Sequence, residues 1–243
     1  MRRMMAYAAA LIAVLAQPVA ARENDADIAR HIRAGTAVTI APDTAYLLVR
    51  NTDILAFRFV RIDDDGRRGP NGLPIVDPAD LVDLAAYLPF DKGPPRTHLL
   101  AVKPGTYWLY GEKTRFHLEG PFLNCLCLGT VKFDARAGTI TDLGTIRNLA
   151  RETKDGKRPD SKGETRTLLG NRDTRAILLE PATEGQAVPA ALAALPRVPA
   201  VYHAAGRLPN IDGTMIDRIS AMPGVIGYDR DRIVDLRTGA ALP

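Results

Sequence analysis

Serine is almost missing from this chain: Ser161 and Ser220 are the only two in 243 residues. Neither stands in the Gly-x-Ser-x-Gly context that holds a nucleophilic serine on a strained turn. Cysteine is equally sparse, with only Cys125 and Cys127, one residue apart. A disulfide framework uses spaced pairs, so none is expected. A chain of this length can rely on its core instead of staples. The four histidines, His31, His98, His117 and His203, are scattered and form no His-Glu-x-x-His pair. No glycine loop of the Walker or Rossmann type occurs. These absences argue against the familiar serine hydrolases, zinc peptidases and nucleotide enzymes. Charge of one sign is lacking too. Lys and Arg number 32 against 28 acidic residues, a net of +4. Nothing in that balance calls for a nucleic-acid partner.

What is present begins at the N-terminus. Met1-Arg2-Arg3 is basic, Met4 to Ala16 is an unbroken run of thirteen apolar residues, and Pro18 then precedes Val19-Ala20-Ala21. Basic start, short apolar core and small-residue site form the pattern of a secretion signal. A spanning helix needs about 20 apolar residues, so a cleaved signal is expected, with the cut after Ala21. Removing Arg2 and Arg3 lowers the net charge from +4 to +2. No later run reaches spanning length, and the mature chain is expected to be soluble and located in the periplasm or cell envelope.

The periodicity predicts a mainly β protein. A short helix is expected over Asn24 to Ala34, where Ile28 and Ile32 lie four apart before Gly35. Thr36 to Ile40, Ala45 to Arg50 and Ile54 to Ile62 follow as strands. In the last, Leu55, Phe57 and Phe59 share one face and Arg58 the other. Asp77-Pro78 opens a predicted helix carrying Leu81, Leu84, Ala85 and Leu88. His98 to Lys103 and Thr106 to Gly111 are strands joined by a Pro104-Gly105 turn. Arg115 to Leu118, Phe122 to Phe133 and Thr139 to Ile146 continue the pattern. Arg151 to Arg166 is a polar excursion before Thr167 to Glu180. Beyond Pro181, short helices are expected over Val188 to Leu195 and from Thr214, whose apolar side is Met215, Ile216 and Ile219. Strands are expected over Val198 to His203 and Val225 to Leu236. The fold class is therefore an antiparallel β-sandwich over residues 22–181. Residues 182–243 form a small mixed α/β extension packed on or beside it.

Few residues offer chemistry. On a strand, Cys125 and Cys127 point to one face and could clamp a soft metal. Further ligands are missing nearby, so two small buried hydrophobes are expected and no cofactor is assigned. Asp63-Asp64-Asp65-Gly66 has consecutive acids and no closing Glu, which makes it a solvated turn and not a calcium loop. Trp108 and Tyr110 share a strand face and are candidates for an exposed platform that stacks a sugar or anchors a protein. His203 and Asp212 are candidates for the rim of a pocket. Core packing is the ordinary alternative for the first pair, and a strand-ending histidine for His203.

Val102-Lys103-Pro104-Gly105-Thr106-Tyr107, then Gly129-Thr130-Val131-Lys132-Phe133 and Ala137-Gly138-Thr139-Ile140-Thr141-Asp142-Leu143-Gly144, resemble exported bacterial β-sandwich proteins of unknown function, in which a Pro-Gly-x-Tyr hairpin precedes an Ala-Gly turn. The resemblance covers about the middle fifth of the chain. It implies an envelope location and a sandwich, and it carries no catalytic residue. The expected function is a non-enzymatic envelope module that binds an envelope protein or glycan, or serves structurally. A hydrolase acting on an envelope component, using carboxylates with His203 or His117, is the alternative. A soft-metal binder through the Cys pair is the third.

Overall fold

The computed structural model describes residues 38–51, 56–62, 67–83, 96–116, 120–148, 177–211, 215–230 and 232–243. The secretion signal, the Asn24 helix, the Asp63 to Gly66 turn and the Arg151 excursion lie outside them.

The described chain is mainly β. In order the strands are β1 (Ala45–Asn51), β2 (Ala56–Arg61), β3 (Leu81–Asp83), β4 (Arg96–Val102), β5 (Gly105–Phe116), β6 (Gly120–Cys125), β7 (Thr130–Ala135) and β8 (Ile140–Asn148). Then come β9 (Ile177–Glu180), β10 (Arg197–Pro199), β11 (His203–Ala205), β12 (Met215–Ile216), β13 (Ile226–Asp229), β14 (Arg232–Asp235) and β15 (Ala241–Leu242). The first sheet runs β10-β8-β1-β4, with β9 also on β8. The second runs β11-β7-β5-β2-β3, with β6 on β5 and β12 on β6. A third, small sheet is β13-β14-β15. Most pairs are antiparallel; β1 with β8, β10 with β8 and β12 with β6 are parallel.

Strand alternation sorts the apolar residues. Leu47 and Val49 of β1, Phe57 and Phe59 of β2, and Tyr107 and Leu109 of β5 join one core with Val131 and Phe133. That core lies between the two large sheets, as in a sandwich. Its aromatic centre is Phe133. Phe59 and Tyr202 meet it edge-on at 6.0 and 5.7 Å, and Tyr107 stacks on it at 6.2 Å. Such contacts are worth about 0.5–1.5 kcal/mol beyond area burial. Each sheet's outer face is covered as well. Tyr46, Leu48, Leu99 and Ile140 pack under Val38 and residues 188–195. Val60, Trp108, Tyr110, Cys125 and Cys127 pack under Val76, Leu81 and Leu208.

Several expectations change. Among the described residues, the Asp77 cap and Pro78 produce one 3-10 turn, Pro78–Asp80, while Leu84, Ala85 and Leu88 lie outside them. Leu81–Asp83 then becomes an edge strand on β2. The predicted helix at 188–195 shrinks to the 3-10 turn Ala190–Leu192. The predicted helix from Thr214 is instead strand β12 and an extended segment after it. Residues 38–40 are not a strand. The predicted strand over Val225 to Leu236 is a hairpin, β13 to β14. Pro104-Gly105 is not a hairpin turn either. It carries the chain from the first sheet to the second, and the Tyr107 hydroxyl donates to Lys103 O (2.7 Å) across it. Gly105 has φ +150°, and a Cβ there would press on the Arg61 side chain.

The C-terminal part is woven into both sheets. β10 lines the edge of β8 and β11 the edge of β7. Residues 197–205 thus switch sheets and close one side of the sandwich.

Candidate functional site

Trp108 and Tyr110 share a face as expected, but both are buried, at 7% and 0% exposure. They offer no open stacking platform. The Tyr110 hydroxyl accepts from Ile211 N (2.9 Å) and donates to Pro209 O (3.3 Å), which holds the 208–211 segment over the sheet. His203 is exposed on β11. Its Nδ1 lies 3.1 Å from an Arg237 guanidinium nitrogen. Arginine only donates, so Nδ1 accepts and a neutral ring carries its proton on Nε2. Asp212 and His117 lie outside the described residues. His98 is buried on β4, apart from His203 on β11, so these two histidines do not converge.

Cys125 and Cys127 are buried on one face, as the alternation requires, but they are bonded to each other with Cα atoms 5.1 Å apart. This corrects the expectation of two separate thiols. In this oxidised form the pair has no thiolate to offer a metal.

Among the described residues, two clusters are built on carboxyl groups at 0–1% exposure. The first sits on the outer face of the first sheet. Arg50, on the same parity as Tyr46 and Leu48, donates to Asp142 Oδ1 (2.7 Å) and Oδ2 (3.1 Å), and to Ala187 O (3.1 Å). Arg197 of β10 donates to Oδ2 (2.7 Å), and Gly144 N–H to Oδ1 (3.0 Å). Burial would raise the Asp142 carboxyl. The bonds from Arg50, Gly144 and Arg197, with the Arg50 charge, outweigh it and hold the group below its ordinary range. A carboxylate with four donors is saturated, so this cluster ties β1, β8 and β10 together and has no lone pair left for a reacting proton.

The second cluster lies between the layers. Glu112 is opposite Phe57 on β2 and opposite Asn124 on β6. Directly opposed residues share a face, and Phe57 is a core residue. Asn124 Nδ2 donates to Asp217 Oδ2 (3.3 Å), and Arg218 N–H to Asp217 Oδ1 (2.8 Å). Glu112, Asn124 and Asp217 are 0%, 3% and 1% exposed. Burial above all pushes the Asp217 carboxyl up to about 7; the Arg218 N–H, Asn124 and the Arg218 charge pull it down, and Glu112 adds to the rise. A carboxyl poised near neutrality beside a second one is the pattern of a general acid/base pair. Here both are sealed from solvent. Among the described residues, Asn124 Oδ1 and Ser220 Oγ have no hydrogen-bond partner.

None of these partners can be paired from spacing alone. Asp142 shares the parity of Ile140 on a β-rich run, a weak signal of a buried charge. Glu112 has the parity of Trp108 and Tyr110 and faces the interlayer core only because the β2–β5 register shifts at Tyr110, which no sequence pattern announces. No family model matches the chain, and neither curated proteins nor solved structures provide a match.

Proposed function

We propose that this chain is an exported, non-catalytic envelope module that binds a protein partner along the sheet-switching segment 198–203. The observation that carries this reading is the exposure of Val198 (43%) and Val201 (61%) on either side of buried Ala200, with exposed His203 and Arg237 beside them. The segment's inner side is fixed by Ala200 N–H on Asp142 O (2.8 Å) and the Tyr202 hydroxyl on Leu143 O (2.6 Å). The apolar side chains therefore stand on a rigid edge, which lowers the entropic cost of docking. A protein is favoured over a glycan because Trp108 and Tyr110 are interior. The secretion pattern and the Cys125–Cys127 bond support export, since such bonds persist in oxidising compartments.

Cross-linked pull-down from envelope extracts tests the reading with the wild-type chain and Val201→Asp. The wild type should enrich a protein reproducibly, and the variant should lose it at an unchanged melting temperature. Equal enrichment by both, or none by either, would overturn it.

A further inference from the structure

We propose that residues 217–220 form a proton-operated strap, seated between the two sheets when Asp217 is neutral and loosened when it ionises. The strap is the one described segment after β12 that bonds to both layers. Asp217 N–H reaches Cys125 O (2.7 Å), Leu128 N–H reaches Asp217 O (2.9 Å), and Ile219 N–H reaches Gly129 O (3.0 Å), all on the second sheet's side. Ser220 N–H reaches Ile177 O (3.0 Å) on β9 of the first sheet. Ile219 is 1% exposed and belongs to the interlayer core. Seating the strap therefore forces the Asp217 side chain into the same interior.

The groups that face it are few among the described residues. β5 presents Glu112 and β6 presents Asn124. The strap itself supplies Arg218, whose guanidinium lies 4.1 Å from the centre of the Tyr228 ring on β13 and donates to Arg230 O (3.3 Å). Tyr228 also donates its hydroxyl to Ile219 O (2.8 Å). β9 and the turn after β6 offer the strap backbone carbonyls. A charge on Asp217 is thus placed in a low-dielectric space beside a second carboxyl, which disfavours it.

The amide of Asn124 responds to the same proton. With Asp217 ionised, Asn124 donates to it and leaves its own Oδ1 without a partner. With Asp217 protonated, the amide can turn so that Oδ1 accepts the carboxyl proton. One proton then removes a buried charge, while the Asn124–Asp217 hydrogen bond is kept with its direction reversed. The upward displacement of the Asp217 carboxyl, caused first by burial, agrees with this geometry.

Hydrogen–deuterium exchange on the full chain tests the strap at pH 6 and pH 8.5, corrected for intrinsic exchange. Protection at Ile219 and Ser220 should fall at least tenfold at the higher pH, while that at Leu47 and Val49 in β1 holds. Asp217→Asn should abolish the difference, and Glu112→Gln, which removes a charge that raises the Asp217 carboxyl, should move the loss to lower pH. Equal protection of the wild-type strap at both pH values would overturn the proposal whatever the variants do. So would an undiminished pH effect in Asp217→Asn.

Discussion

Replacing Asp142 by Asn tests the outer charge cluster most directly. The change keeps shape and removes one charge. In the wild type, Arg50 makes two bonds to the carboxylate and Arg197 a third, with the Asp142 side chain 1% exposed and that of Arg50 6%. The amide retains one acceptor and presents an N–H₂ to a guanidinium that can only donate. Two cations then remain with no counter-ion at that position. Stripping one partner from a buried pair costs about 3–5 kcal/mol, a large part of the about 5–15 kcal/mol that holds a typical domain. Arg197 is 21% exposed and supplies one bond. Arg197→Met should therefore cost less, about 1.5–3 kcal/mol. The assay is urea unfolding followed by fluorescence at pH 7 and at steps down to pH 3. The pH series carries the sign. The folded carboxyl is depressed, so its contribution is full above the unfolded value and fades as pH falls through the folded one. The gap between wild type and Asp142→Asn should be widest near pH 7 and close toward acid. A gap under about 1 kcal/mol at pH 7, or one that stays constant with pH, would refute the reasoning.

Three further outcomes are expected. Gly144 has φ +82°, and a Cβ there would collide with Glu180 O, so Gly144→Ala should cost about 3 kcal/mol or more and lower the thermal midpoint accordingly. Tyr202→Phe leaves the buried Leu143 carbonyl without its 2.6 Å donor and should cost about 1–3 kcal/mol in the same unfolding assay. The chain recovered from an oxidising compartment should show no free thiol on denaturing alkylation. Changing both Cys125 and Cys127 to Ala should cost about 1.5 kcal/mol, the chain-entropy value for so short a loop.

The strands were legible because alternation is a local property that burial enforces. Phe57 and Phe59 opposite Arg58 is the pattern of a strand with a dry face, and that is where they sit. Among the described residues, the predicted helices from Pro78 and from Thr214 were misjudged, for an equally physical reason. Leu81, Leu84, Ala85 and Leu88 have helical spacing, but short apolar runs fit either period. What decides Leu81–Asp83 is a partner distant in sequence: the free edge of β2, where Asp83 also takes two bonds from Arg58. Met215 and Ile216 follow the same rule, since the open edge of β6 gives them backbone partners. Pro104-Gly105 shows the limit of turn chemistry. The residues announce a reversal of the chain, and only the core determines whether the next strand returns to the same sheet or crosses to the other.

Cys125-Leu126-Cys127 has the same origin. β6 and β7 both pair with one edge of β5, β6 against residues 111–116 and β7 against residues 105–108. Two strands can share an edge only if the chain between them leaves the ladder and rejoins it. The departure is at Leu126, whose N–H bonds Tyr110 O (2.8 Å), and the return is at Thr130, whose Oγ1 donates to Leu109 O (2.6 Å). Between these points the turn meets two C-terminal segments, through Leu208 N–H on Cys127 O (3.1 Å) and Asp217 N–H on Cys125 O (2.7 Å). A bond between residues two apart removes little chain entropy from the unfolded state. Its use here is local: it fixes the shape of the corner on which both later segments depend. Spacing arguments treat such a pair as too close to matter. Topology makes that closeness the reason for it, because the irregularity to be held is itself only four residues long.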